Sequence, residues 1–160
     1  MKISERKLHI EPRPTEETFS LNVAFATDDR KNVNQHFGSS QGMLIYGINA
    51  HEWHVLEAIE YAEVSTSTHN KLPTRISDLV GCSAVFCNAC GASAVKQLLE
   101  KNIHPIKVIE GHVIHDLLKE ITQELDGEPC GWLAKSLKQK EEDSKGKKAQ
   151  RLSQLIDEEW

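Results

Sequence analysis

The chain has 160 residues, 39% hydrophobic and 27% charged, which is enough apolar material for one folded core and too little length for two. A formal charge of −5 and a pI near 5.9 exclude a nucleic-acid binder that works by bulk electrostatics. No apolar run approaches the roughly 18 residues that span a bilayer, and the opening "MKISERKLHIEPRPTEE" has no uninterrupted apolar stretch of the kind a secretory signal needs.

A cytoplasmic protein without membrane contact is therefore expected, in which the four cysteines serve as thiols or ligands rather than structural disulfides.

In chain order, residues 1–19 are polar, are broken by Pro12 and Pro14, and read as a flexible arm. "LNVAFA" (21–26) is a short apolar run of the kind a buried strand needs. "TDDRKNVNQHFGSSQ" (27–41) has no periodicity, and connections this long inside a compact domain are usually functional or mobile. "MLIYGI" (43–48) and "WHVLEAIEY" (53–61) flank the polar Asn49–Glu52 and predict a β-hairpin. "NKLPTRISDLV" (70–80) puts Leu72, Ile76 and Leu79 on one helical face, with Pro73 tolerated only in the first turn.

"SAVFC" (83–87), "GASAVKQLLEKN" (91–102) and "HPIKVIE" (104–110) read as strand, helix and strand. That order demands a parallel pair with a right-handed crossover. "VIHDLLKEITQEL" (113–125) is an amphipathic helix that keeps Ile114, Leu117, Leu118, Ile121 and Leu125 at 3–4 spacing. The sum is a mixed, five-stranded sheet flanked by helices. Beyond Pro129 the chain turns charge-dense and reads as two helical pieces in a solvated, partly disordered tail. Leu152, Leu155, Ile156 and Trp160 form a short apolar stripe in it.

Cys82, Cys87, Cys90 and Cys130 match the plant-type ferredoxin spacing. A strand over 83–87, however, separates Cys82 from Cys87 by about 16 Å at 3.3 Å per residue. The match is a coincidence. "CNACGASA" is better placed, with Cys87 ending a strand and Cys90 opening a helix, where the dipole and free N–H groups lower a thiol's pKa and attract anions. A thioredoxin-like redox pair, a zinc site lacking two further ligands, and simple close packing of small residues all fit this stretch.

Asp28, Asp29, Glu57, Glu60 and Glu63 are candidate Mg2+ ligands that nothing in the sequence forces together. No P-loop, Rossmann glycine pattern, nucleophile elbow or HExxH is present, so no catalytic set declares itself.

His36 differs from the other histidines by its setting in the long 27–41 loop, in "VNQHFGSS". Ligands of α/β sheets bind beyond the carboxyl ends of strands, and both this loop and the 88–91 turn leave such ends. If their strands are neighbours, His36 faces the Cys87–Gly91 turn. Phe37 then anchors the loop in the core.

"VAFATDDRKNVNQHFGSS", "IYGIN" and "GCSAVFCNACGASAVKQLLEKNIHPIKV" together resemble the nitrogenase iron–molybdenum cofactor biosynthesis family, most of all its NifX-type members. The resemblance runs from residue 21 to about 137 and carries two motifs, QHFG and CxxCGASA, in the right order. It implies a ribonuclease H-like α/β fold with a mixed five-stranded sheet in the order 3-2-1-4-5. It divides the chain into an arm (1–19), a cofactor-carrier domain (20–137) and a charged tail (138–160).

By the same resemblance the protein is a carrier rather than an enzyme. It binds reversibly a NifB-cofactor-like iron–sulfur precursor or the iron–molybdenum cofactor itself. Its partners are then a NifEN-like scaffold complex, a NifB-like radical enzyme that makes the precursor, and apo-nitrogenase. His36 is implied as the metal ligand, with Gly38, Ser39, Cys87, Cys90 and Gly91 around the cargo and positive potential from Arg30 and Lys31. Asp28–Asp29 stands where the family commonly has Asp-Gly, which alters the turn before the loop. The alternative is a thiol redox or redox-sensing protein using Cys87 and Cys90.

Overall fold

A computed structural model describes residues 5–9, 20–61 and 71–158. They fall into two units, residues 1–128 and residues 129–160. The first unit is built on a six-stranded mixed sheet. Its strands are β1 (Glu5–His9), β2 (Leu21–Ala26), β4 (Gly42–Ile48), β5 (Trp53–Tyr61), β6 (Ala84–Cys87) and β7 (His104–Lys107), in the order β1-β5-β4-β2-β6-β7. Two short strands, β3 (Asn32–Val33) and β8 (His112–Val113), pair separately. The helices of this unit are α1 (Lys71–Asp78), α2 (Ala92–Glu100) and α3 (Ile114–Asp126).

β2 lies in the interior of the sheet, antiparallel to β4 and parallel to β6. Flanked on both edges and covered on both faces, it reads as an unbroken apolar run rather than an alternating one. Ala24 and Ala26 join the cluster formed with Ile76 of α1, with Leu79 just after it, and with Ala94 and Leu98 of α2. Successive side chains of a strand point to opposite faces. Phe25 thus points away from that cluster, stacks on Phe86 at 5.2 Å between ring centroids, and meets Tyr46 edge-on. α3 buries Ile114, Leu117, Leu118 and Ile121, four of the five positions its periodicity marks. Pro73 falls in the first turn of α1, the one place where its missing N–H costs the helix nothing.

β4 and β5 form the expected hairpin, with a register shift between Ile45 and Tyr46. β6, α2 and β7 form the expected parallel unit.

The sequence expectation needs correction in three places. Residues 5–9, expected to belong to a flexible arm, form β1, antiparallel to β5 from Glu5 opposite Tyr61 to His9 opposite Glu57. Backbone hydrogen bonds along an otherwise open sheet edge account for this, because "ERKLH" carries no strand-like alternation. The rest of the arm, residues 1–4 and 10–19, lies outside the described residues, as do Glu63, His69 and Trp160.

The second strand of the β–α–β unit stops at Lys107 rather than 110. The chain then turns through Gly111, whose φ of +86° is a left-handed value that glycine adopts without strain. Finally, the tail forms one helix, α4 (Gly131–Glu158), instead of two pieces in a partly disordered segment. Glu141 to Lys145 and Gln139 to Asp143 link successive turns at i,i+4, the local support an exposed helix draws on. The side chains of Leu152, Leu155 and Ile156 lie outside the described residues.

Candidate functional site

The loop after β2 is organised from its first residues. The Asp29 carboxylate accepts hydrogen bonds from the backbone N–H groups of Lys31 and Asn32, from Asn32 Nδ2 and from Thr27 Oγ1. These donors, the Asn32 side chain foremost, hold its pKa well below the usual carboxylate range. Asp28 and Asn34 close the loop reciprocally, through Asp28 N–H to Asn34 Oδ1 and Asn34 Nδ2 to Asp28 Oδ1. The left-handed position falls on Arg30, at φ +63°. This is how the chain turns without an Asp-Gly pair. The Arg30 guanidinium is engaged by Glu60 at 2.8 Å, so the expected positive potential there is offset, and Lys31 remains as an exposed cation of the loop.

The second half of the loop is tied to the turn after β6. Phe37 N–H donates to the Ala89 carbonyl at 2.8 Å, and Asn88 N–H donates to the Gln35 carbonyl at 2.9 Å. These two bonds bracket His36. Its side chain is exposed, whereas Phe37 is wholly buried in the cluster under α1 and α2. The adjacency of β2 and β6 therefore brings His36 to the CNAC turn.

Asn88 adds a third connection that the sequence did not disclose. Its Nδ2 donates to the carbonyls of Val33 at 3.0 Å and Val108 at 3.2 Å. The 27–41 loop, the 88–91 turn and the end of β7 thereby meet at one side chain. Two carbonyl acceptors also fix which way the amide points, since the reverse orientation would set oxygen against oxygen.

Gly38, Ser39 and Gly91 are all exposed. A Cβ added at Gly38 or Gly91 would meet nothing within 4 Å, so neither glycine is required by packing, and both leave bare backbone beside His36 and the start of α2. α2 begins at Gly91 without a side-chain cap, which leaves first-turn N–H groups available to an anion.

The two cysteines of the turn are not equivalent. Cys87 is fully buried, which turns its sulfur into the core rather than toward a bound molecule. Cys90 is half-buried at the start of α2. A hydrogen bond between them pushes the Cys87 thiol up, with burial adding to it, and pushes Cys90 down. Of the pair, Cys90 is both the more accessible thiol and the one more disposed to ionise.

None of the four cysteines is in a disulfide. Among the described residues no three His, Cys, Asp or Glu side chains converge on a single ion. What the arrangement offers is one exposed imidazole, one thiol disposed to ionise, and bare backbone N–H groups.

Comparison with known proteins identifies the chain. The family model described as "Dinitrogenase iron-molybdenum cofactor" matches residues 20–124. The chain belongs to the dinitrogenase iron–molybdenum cofactor family. Within it, the chain is 41% identical to Protein NifX of Azotobacter vinelandii over 141 residues, covering 88% of this chain and 87% of that one. It is 32% identical to Protein NifX of Sinorhizobium fredii (strain NBRC 101917 / NGR234) over 127 residues, covering 75% and 79%. These relatives make it a NifX-type member, in iron–molybdenum cofactor biosynthesis and nitrogen fixation. Among the described residues no helix is long and apolar enough to cross a membrane.

The inequality of the family member's two thiols has a direct readout. Treated with iodoacetamide in the folded state near neutral pH, Cys90 is expected to alkylate before Cys87, as read by peptide mass spectrometry. Equal rates, or Cys87 first, would overturn the assignment of the reactive sulfur.

Proposed function

We propose that this chain is a non-catalytic, cytoplasmic carrier of the nitrogenase iron–molybdenum cofactor or of its iron–sulfur precursor, with His36 as the metal ligand. One observation carries this: an exposed imidazole on a backbone segment that is pinned, through Gln35 and Phe37, to the turn before the uncapped start of α2. The cargo is a large anion that has to be held and then released. A single imidazole with backbone N–H donors at Gly38, Ser39 and Gly91 gives reversible affinity, whereas four thiolates would retain a cluster. Cys90 places a half-buried thiol at the rim, its pKa lowered by the hydrogen bond with Cys87. The strand order β5-β4-β2-β6-β7 supports assignment to the ribonuclease H-like class.

The carrier's exchange partners are then a NifB-like enzyme that makes the precursor, a NifEN-like scaffold complex, and apo-nitrogenase. Loading tests this. Iron–molybdenum cofactor extracted from nitrogenase, mixed anaerobically with the full chain, is expected to co-elute with it on gel filtration. The complex is then expected to restore activity to apo-nitrogenase. Failure to co-elute with either the cofactor or its precursor would refute the carrier function.

A thiol-redox role has one observation in its favour, the hydrogen-bonded pair of Cys87 and Cys90 between a strand end and a helix start. It requires a reversible Cys87–Cys90 disulfide and full function in a His36→Ala protein.

A further inference from the structure

We propose that Arg75 is a positioning residue for His36, gripping the far end of the QHFGSS loop from α1 so that the imidazole is held at a fixed place. The inference rests on His36 being the cluster ligand and adds a residue, 35 positions away from the loop's end, to that site.

The Arg75 side chain is buried, with 5% of the residue exposed. Its Nε donates to Ser40 Oγ at 3.3 Å, and its terminal nitrogen donates to the Ser40 carbonyl. Ser40, itself wholly buried, passes the contact on, because its hydroxyl and its N–H both donate to the Phe37 carbonyl. The guanidinium lies over the Tyr61 ring, 4.2 Å from its centroid, and the Tyr61 hydroxyl donates to Asp78 at 2.9 Å. Tyr61 N–H in turn donates to the Gln41 carbonyl. His36 is thus held on one side through Phe37 N–H to Ala89, and on the other through Phe37 C=O, Ser40 and Arg75.

Burying a guanidinium is expensive, and an aliphatic side chain at that position would pack α1 against the cluster at less cost. What an aliphatic residue cannot do is donate two hydrogen bonds to one residue of a loop while stacking on an aromatic face. The chemistry of Arg75 therefore matches the task of fixing Ser40 better than that of filling the core.

The test uses the full chain with Arg75→Gln, Arg75→Lys and Ser40→Ala, read by amide hydrogen exchange and by loading with extracted iron–molybdenum cofactor. Arg75→Gln is expected to speed exchange at the Phe37 and Ser40 amides by about tenfold, leaving Val85 in β6 unchanged. It should weaken loading by about tenfold, the usual effect of losing a group that orients a ligand. Arg75→Lys, which keeps a donor for the Ser40 carbonyl, should recover part of both.

Ser40→Ala leaves the guanidinium in place and cuts the hydroxyl link to Phe37. It should show the same local loosening, and it serves if Arg75→Gln does not fold. Unchanged exchange at Phe37 and Ser40, or acceleration equal to that of Val85, would overturn the clamp. So would a loosened loop with undiminished loading. His36→Ala separates the two ideas, since undiminished loading there removes the ligand assignment while the exchange data still decide the clamp.

Discussion

Replacing His36 by alanine is expected to abolish cofactor retention while leaving the fold intact. The side chain is exposed and the bonds that flank it belong to the backbone of Gln35 and Phe37, so truncation should change stability by no more than about 0.5 kcal/mol. Groups that merely orient a ligand are worth about 10–100-fold in metal affinity, and removal of the ligand itself should cost at least that much. Anaerobic titration with extracted cofactor, paired with a urea melt of the same preparation, checks both halves. Loading within a few-fold of the parent protein would end the assignment of His36. A melt shifted by several kcal/mol would show that the imidazole is structural.

The neighbouring residue should behave in the opposite way. Phe37→Ala is expected to cost about 3–5 kcal/mol, the range for emptying a phenylalanine site in a packed core. Phe37 is 0% exposed and lies among Ala24, Met43, Ile59, Leu79 and Cys87. It is also the residue whose backbone joins the loop both to Ala89 and to Ser40. Its loss should therefore both destabilise the domain and let His36 wander, so that loading falls even where the protein remains folded. A chemical melt measures the first effect. A cost under about 1 kcal/mol would mean that the ring is not the anchor of the loop, since such a value is ordinary for a surface position.

Two adjacent residues thus differ in place, Phe37 buried and His36 exposed. The burial of Phe37 was legible in the sequence because an aromatic residue in a polar loop after a buried strand has few places to go but the core. The central strand was legible for a similar reason, since "LNVAFA" has no polar face to offer. β1 was not, because its five residues carry no apolar alternation from which a strand could be read. β3 and β8, two residues each, are too short to leave a pattern.

At the site, the cysteine spacing was visible and the inequality of the two sulfurs was not. That difference depends on which of them the strand turns into the core, and Cys87 is the one buried. Asn88 sits inside the CNAC motif, yet its role as a staple depends on Val33 and Val108 arriving from distant parts of the chain. Arg75 reads in the sequence as a polar residue of an amphipathic helix. Only the packing of α1 against the loop reveals a buried cation with Ser40 as its acceptor.

The most direct test of His36 as the ligand is the magnetic coupling between the bound cluster's electron spin and the imidazole nitrogens. With the full chain labelled with 15N only at histidine and loaded anaerobically with paramagnetic iron–molybdenum cofactor, a 15N hyperfine coupling is expected in the parent protein and is expected to vanish in His36→Ala. A loaded parent protein without that coupling, or a His36→Ala protein that loads and retains it, would contradict the assignment.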